Sequence, residues 1–189
     1  MNCEIDIKNA VECLRRGGVI VYPTDTVWGI GCDATNEEAV RRIYAMKHRD
    51  DSKSMLCLVD NPNRIQRYFR NVPDVAWDMM DLSEEPLTLI LDGANGVAPS
   101  LIAPDGSMGV RVTHEEFSKQ ICFRLQHPLV STSANISGEP TTGLYRDIPE
   151  EILTQADYVV QFRRGDTRLS KPSSIVKLSQ DGQVTIIRK

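Results

Sequence analysis

Apolar residues recur at helical spacing at Ile7, Ala10, Val11 and Leu14. This predicts an amphipathic helix over 6–16, with Gly17-Gly18 supplying the stop. Val19 to Tyr22 is a continuous apolar run ended by Pro23, the mark of a buried strand. A second helix follows. It opens with the capping-box pattern Thr35-Asn36-Glu37-Glu38 and carries Ala39, Val40, Ile43, Tyr44 and Met46 on one face. Met55–Val59 reads as a strand, and Asn61-Pro62 opens a further helix with proline in its first turn.

The second half continues the alternation. Residues 73–82 read as a helix, 87–91 and 108–112 as strands, and Thr113-x-x-Glu116 as another capping box. Pro128–Thr132 is an apolar strand running into Ser133-Ala134-Asn135, 149–156 a short helix and 158–162 a strand. Asp181-Gly182 between 174–178 and 184–187 predicts a terminal hairpin. Helices and strands interleave, but several strands follow one another at the end. The expected fold class is therefore a mixed-sheet α/β (α+β) domain rather than a doubly wound parallel sheet, with residues 1–189 forming one domain.

Composition adds little to this picture. A hydrophobic content of 41% with 25% charged residues is that of an ordinary soluble globular chain. No apolar run is long enough to span a bilayer, and the first residues lack a secretory pattern. The cysteines Cys3, Cys13, Cys32, Cys57 and Cys122 are odd in number, scattered and without a CxxC pair. Buried free thiols in a reducing cytoplasm are expected, not a disulfide or zinc framework.

Charge changes the picture more. The chain carries net charge −4, yet 41–70 hold eight cations (Arg41, Arg42, Lys47, Arg49, Lys53, Arg64, Arg67 and Arg70) against three acids. Residues 74–92 hold only acids among their charged side chains. A basic stretch on an acidic protein suits an anionic ligand, a nucleotide or an RNA backbone. Lys47-His48-Arg49, with Lys53 beyond, crowds cations at one helix end, more than capping requires. Tyr22-Pro23-Thr24-Asp25-Thr26, Ser131-Thr132-Ser133-Ala134-Asn135 and Pro172-Ser173-Ser174 add small hydroxyl and amide residues at element junctions. Each of these alone is an ordinary turn composition; together they point to a binding site. Arg111, inside an apolar strand, must be paired or face a ligand.

Other motifs are rejected. Gly29-Ile30-Gly31-Cys32-Asp33-Ala34 matches the dinucleotide pattern, but six residues separate it from the preceding strand, where the fingerprint needs a tight strand-to-helix turn. No phosphate-binding P-loop pattern exists. His48, His114 and His127 lack metal-ligand spacing, and Ser133 sits in no nucleophile elbow. Trp28 and Trp77 are read as core residues.

The combination resembles the YrdC family, the threonylcarbamoyl-adenylate synthases of tRNA modification. The resemblance is carried by Tyr22-Pro23-Thr24-Asp25-Thr26-Val27-Trp28-Gly29-Ile30-Gly31, Lys47-x-Arg49, Pro86–Leu91, Gly109-Val110-Arg111-Val112, Ser131-Thr132-Ser133-Ala134-Asn135-x-Ser137-Gly138 and Pro172-Ser173-Ser174-Ile175-Val176. It implies a twisted open sheet with a concave cationic cavity. It also implies ATP, L-threonine and bicarbonate as substrates, Mg²⁺ with the ATP, pyrophosphate release, and a cytoplasmic enzyme. The product would go to a tRNA threonylcarbamoyl-transfer complex acting at adenosine 37. Double-stranded RNA binding without adenylation is the alternative the resemblance allows.

By position, the resemblance implies Lys47 and Arg49 as catalytic and phosphate-holding, with Lys53 assisting. Thr24, Thr132 and Arg111 would bind threonine, and Ser107, Ser133, Asn135, Ser173 and Arg188 would line the ATP site. The chain departs from the family pattern at Asp50, Ser54-Met55, Glu84-Glu85 and Thr113.

Overall fold

The computed structural model describes residues 3–50, 55–141, 143–167 and 171–189. Within them the chain forms helices α1 (Cys3–Arg15), α2 (Glu37–Met46), α3 (Asp74–Leu82), α4 (Glu116–Leu125) and α5 (Glu150–Gln155). The strands are β1 (Ile20–Tyr22), β2 (Gly29–Gly31), β3 (Leu56–Val59), β4 (Leu87–Leu91), β5 (Met108–Val112), β6 (Leu129–Ser133), β7 (Tyr158–Val159), β8 (Ser174–Leu178) and β9 (Val184–Arg188). They join in one mixed sheet of order β7-β1-β2-β6-β3-β5-β4-β8-β9. The pairs β1–β7, β3–β5 and β4–β8 are parallel. The expected mixed sheet is therefore what forms.

Local chemistry sets the element ends. Gly17 takes φ +79 after α1, and its N–H and that of Gly18 close on Leu14 and Cys13 carbonyls. Helix α2 is capped by Asn36, whose side chain accepts from Ala39 N at 3.0 Å. The expected Thr35 cap does not form because Asp33 Oδ1 takes both the Thr35 N–H and hydroxyl, at 2.8 and 2.7 Å. Likewise Glu115 caps α4 through Ser118 N, while the Thr113 hydroxyl pairs with that of Ser118 at 2.8 Å. The helix after Asn61-Pro62 is a 3₁₀ turn, Pro62–Arg67.

Two strands differ from expectation. β7 stops after Val159 because the buried Asp6 carboxylate takes the next free N–H groups, those of Gln161 and Phe162. Arg164 takes the Val159 and Val160 carbonyls. β2 was hidden by its glycines. A Cβ on Gly31 would lie 2.4 Å from Val130 O and 2.8 Å from the Tyr22 ring, so glycine lets the neighbouring strand approach.

The core lies under one sheet face, with α4 packed on β3 and α1 on α4. Along β5 the pleat sends Val110 and Val112 into this core and presents Gly109 and Arg111 to a cavity. Cys13, Cys32, Cys57 and Cys122 are buried free thiols, and Cys3 is free and half-buried.

Candidate active site

A cavity of about 500 Å³ opens on that other face. The sheet's alternation supplies its floor from Leu56, Thr88, Ile90, Gly109, Arg111, Ser131, Ser133 and Ile175. Thr24, Thr26 and Val27 from the β1–β2 loop, Arg49 after α2, Ser107 before β5, Thr132, Pro172, Ser173 and Arg188 complete its walls. Segments up to 164 residues apart thus meet because the sheet order, not chain order, makes them neighbours.

The cation cluster separates into three directions. Successive helical residues project roughly 100° apart, and the break after α2 adds a positive φ of 49 at His48. Lys47 turns inward and is 1% exposed. Its Nζ donates to Ser133 O and Asn135 O, each at 2.5 Å. Its own carbonyl accepts from Ser137 N at 2.8 Å. Burial, with Arg49 second, lowers its ammonium pKa to about 8. Lys47 and Asn135 therefore stand behind the cavity wall and hold its Ser133–Ser137 turn, instead of facing the ligand space. His48 points outward to Glu151 Oε1 at 3.1 Å, in an outer cleft that also contains Asp50. Arg49 alone of the three lines the cavity. Lys53 and the Ser54 departure lie outside the described residues.

Arg111 is 3% exposed, with Nη2 2.8 Å from Asp25 Oδ1. The contact has the spacing of a charge pair without hydrogen-bond alignment, and Arg111 Nε has no partner. Burial lowers the Arg111 pKa, with Asp25 opposing. Asp25 is the charge partner of Arg111 that sequence reasoning left without a role.

The Thr24 hydroxyl is fully engaged. It donates to Val27 O at 2.7 Å and accepts from Thr26 N and Val27 N at 3.0 and 3.2 Å. Thr24 therefore shapes the loop against the cavity through a closed turn. Ser133 Oγ donates to Asn135 Oδ1 at 2.5 Å. Ser173 Oγ pairs with the Thr88 hydroxyl at 2.8 Å, and its carbonyl accepts from Arg188 Nε and Nη2 at 2.9 and 2.7 Å. Ser107 N–H and hydroxyl both donate to Asp105 Oδ1, which the Asp-Gly-Ser turn pattern signals locally.

The basic stretch does not act as one surface. Arg41 pairs with Glu37, Arg42 with Asp157, and Arg64 with Asp60, while Lys47 is buried and Arg49 lines the cavity. Among the described residues no group of three or more His, Cys, Asp or Glu side chains gathers as a metal site. Trp28 is buried, with its ring centroid 5.0 Å from that of Tyr145, and Trp77 packs on the core.

The fold and lining define an open α/β protein whose cavity, walled by arginines and small hydroxyls, suits an anionic ligand of nucleotide size. The family model Sua5/YciO/YrdC, described as "Telomere recombination", matches residues 12–189. The chain belongs to this family. A threonylcarbamoyl-AMP synthase of Pseudoalteromonas translucida is 32% identical over 187 residues, covering 97% of this chain and 98% of its own. Another, from Pseudomonas fluorescens, is 32% identical and covers 92% of each chain. The solved structure of E. coli YciO superposes with TM-score 0.82 at 26% identity, over 100% of this chain and 90% of its own. That of P. abyssi Sua5 complexed with L-threonine gives 0.83 at 25%, over 91% of this chain; the match spans 50% of the Sua5 chain.

Proposed function

We propose that this protein is an L-threonylcarbamoyladenylate synthase. It joins L-threonine, bicarbonate and ATP into threonylcarbamoyl-AMP with release of pyrophosphate. The observation that carries the reading is convergence. Thr24, Thr132, Arg111 and Ser173 meet Arg49, Ser107, Ser133 and Arg188 on one cavity, and the full-length relatives that share this chain's span are named as such synthases.

The chemistry needs placement and charge stabilisation, not a covalent nucleophile. The threonine nitrogen bonds the carbon of bicarbonate, and water leaves. A carbamate oxygen then attacks the α-phosphorus, the bond to the bridging oxygen breaks, and pyrophosphate departs with the electron pair. Arg49 holds phosphate oxygens. Arg111, kept in place by Asp25, meets a carboxylate or phosphate at the far end of β5, and Arg188 closes the same end. Lys47 acts from behind by fixing the Ser133–Ser137 turn. Mg²⁺ accompanying ATP would supply further positive charge to its phosphates, beside that of Arg49.

The product goes on to adenosine 37 of tRNA through a partner transfer complex, in the cytoplasm. No described helix is long and apolar enough to cross a membrane, and free buried thiols suit a reducing compartment. The test is pyrophosphate release from ATP with threonine and bicarbonate, each omitted in turn. Release must depend on all three; release indifferent to threonine refutes the assignment.

A further inference from the structure

We propose that Asp105 and Lys177 are positioning residues that make Ser107 a hydrogen-bond acceptor toward the cavity, and that this acceptor selects adenine over a 6-oxopurine. The inference rests on the reading of the cavity as an ATP site and adds how its base is chosen.

The polarity of Ser107 follows from its partners. An ionised carboxylate only accepts hydrogen bonds. Asp105 Oδ1 lies 2.6 Å from Ser107 Oγ and 3.0 Å from Ser107 N. Asp105 Oδ2 in turn receives Lys177 Nζ at 2.6 Å. Lys177, with Ser107 second, holds the Asp105 carboxyl well below the usual carboxylate range. The hydroxyl proton of Ser107 therefore points at Asp105, and only oxygen lone pairs remain for the cavity it lines.

The surroundings of Ser107 suit a flat heterocycle. Leu56 on β3 and Ile90 on β4 both line the cavity and stand in register on either side of Gly109, two residues from Ser107. A Cβ on Gly109 would meet Leu56 Cβ at 3.3 Å, so glycine keeps the floor flat between them. Arg111 lies four residues from Ser107 along the same strand direction, roughly 13 Å at the rise of an extended chain. An apolar base end and a cationic phosphate end are thus separated on one cavity floor. Adenine presents an N6 amine donor, whereas a 6-oxopurine presents an O6 acceptor. The first bonds to the Ser107 lone pair, and the second is repelled by it and leaves Ser107 unsatisfied.

The experiment compares ATP with inosine triphosphate, by KM and kcat for pyrophosphate release and by calorimetric binding of each nucleotide without threonine. The wild-type protein is expected to favour ATP by roughly ten- to a hundredfold. Asp105→Ala removes the acceptor of both the Ser107 N–H and its hydroxyl, so the hydroxyl proton is free to turn toward the cavity. The preference should fall toward one or reverse. Ser107→Ala removes the acceptor and should also bring the ratio toward one, in a protein that lost only a hydroxyl. A merely structural role for Asp105 would weaken both nucleotides alike and keep the ratio, which overturns the proposal. So does a wild-type protein that binds both nucleotides equally. Wild-type failure to turn over threonine with intact nucleotide binding sinks the synthase reading alone, because the binding ratio still decides this inference. Absence of ATP binding sinks both.

Discussion

Replacing Asp25 by Asn keeps the side-chain volume and removes one charge of the Asp25–Arg111 pair. The pair is buried, with side-chain exposures of 3% for Arg111 and 11% for Asp25. Arg111 Nε already lacks a partner, so no spare acceptor stands ready to compensate the guanidinium. Breaking a buried pair by removing one member costs about 3–5 kcal/mol, because the remaining charge is desolvated and alone. For a chain of this size each kcal/mol moves Tm by about 2–4 °C, so Asp25→Asn should lower Tm by roughly 6–20 °C.

Adding Arg111→Met removes the stranded charge. The double variant should recover most of the lost stability, since apolar replacements of buried pairs are often near neutral. It should nevertheless lose most threonine-dependent pyrophosphate release, because of the two arginines at that end of the cavity only Arg188 is left. Urea denaturation of the four proteins, at low and high salt, measures the coupling; a buried pair is little screened. A cost below about 1 kcal/mol for Asp25→Asn, or a double variant no more stable than the single one, would refute the reasoning.

Four further outcomes follow from the same contacts. Lys47 has a folded pKa of about 8 against an ordinary 10.5, so between those values the unfolded chain binds more protons and stability rises with pH. The gain is at most about 3 kcal/mol; it should vanish in Lys47→Met, and equal pH slopes in urea titrations would exclude it. Gly31→Ala places a Cβ 2.4 Å from Val130 O and should cost about 3 kcal/mol or more, read by circular dichroism; a loss under about 1 kcal/mol contradicts the strand spacing. Arg49→Ala should raise the KM for ATP by about tenfold or more with little change for threonine, and an unchanged ATP KM would remove Arg49 from the phosphate site. Asn36→Ala should cost about 1 kcal/mol by loss of the α2 cap; a neutral result in thermal melts would argue against that cap.

Much of the architecture was legible because apolar periodicity is local. The α1 stripe, the β4, β5 and β6 runs and the terminal hairpin all form where the pattern places them. Two of the misreadings share one cause, a polar group claimed by a distant or competing side chain. Asp33 takes the Thr35 hydroxyl that looked like a cap, and Asp6, 155 residues away, takes the N–H groups that would have extended β7. β2 escaped notice because its two glycines carry no side chains to alternate, and the reason for them is a neighbouring strand. Of the family positions, Thr24, Arg49, Ser107, Arg111, Thr132, Ser133, Ser173 and Arg188 line the cavity. The direction of Lys47 depends on three oxygens of the turn after β6, which no local pattern carries.

By itself, then, the sequence determined the mixed order of helices and strands, the strand-borne Arg111 and the family motifs. These depend on side chains within a few residues of one another. Only the tertiary structure decided which way Lys47, His48 and Arg49 point, that Asp25 balances Arg111, and that Asp105 and Lys177 orient Ser107. Lys47 takes its direction from oxygens at the end of β6, His48 from Glu151 on α5, Arg111 from Asp25 in the β1–β2 loop, and Asp105 from Lys177 on β8. Burial then makes the partner matter, because a charge or hydroxyl removed from water takes its direction from the nearest group able to satisfy it.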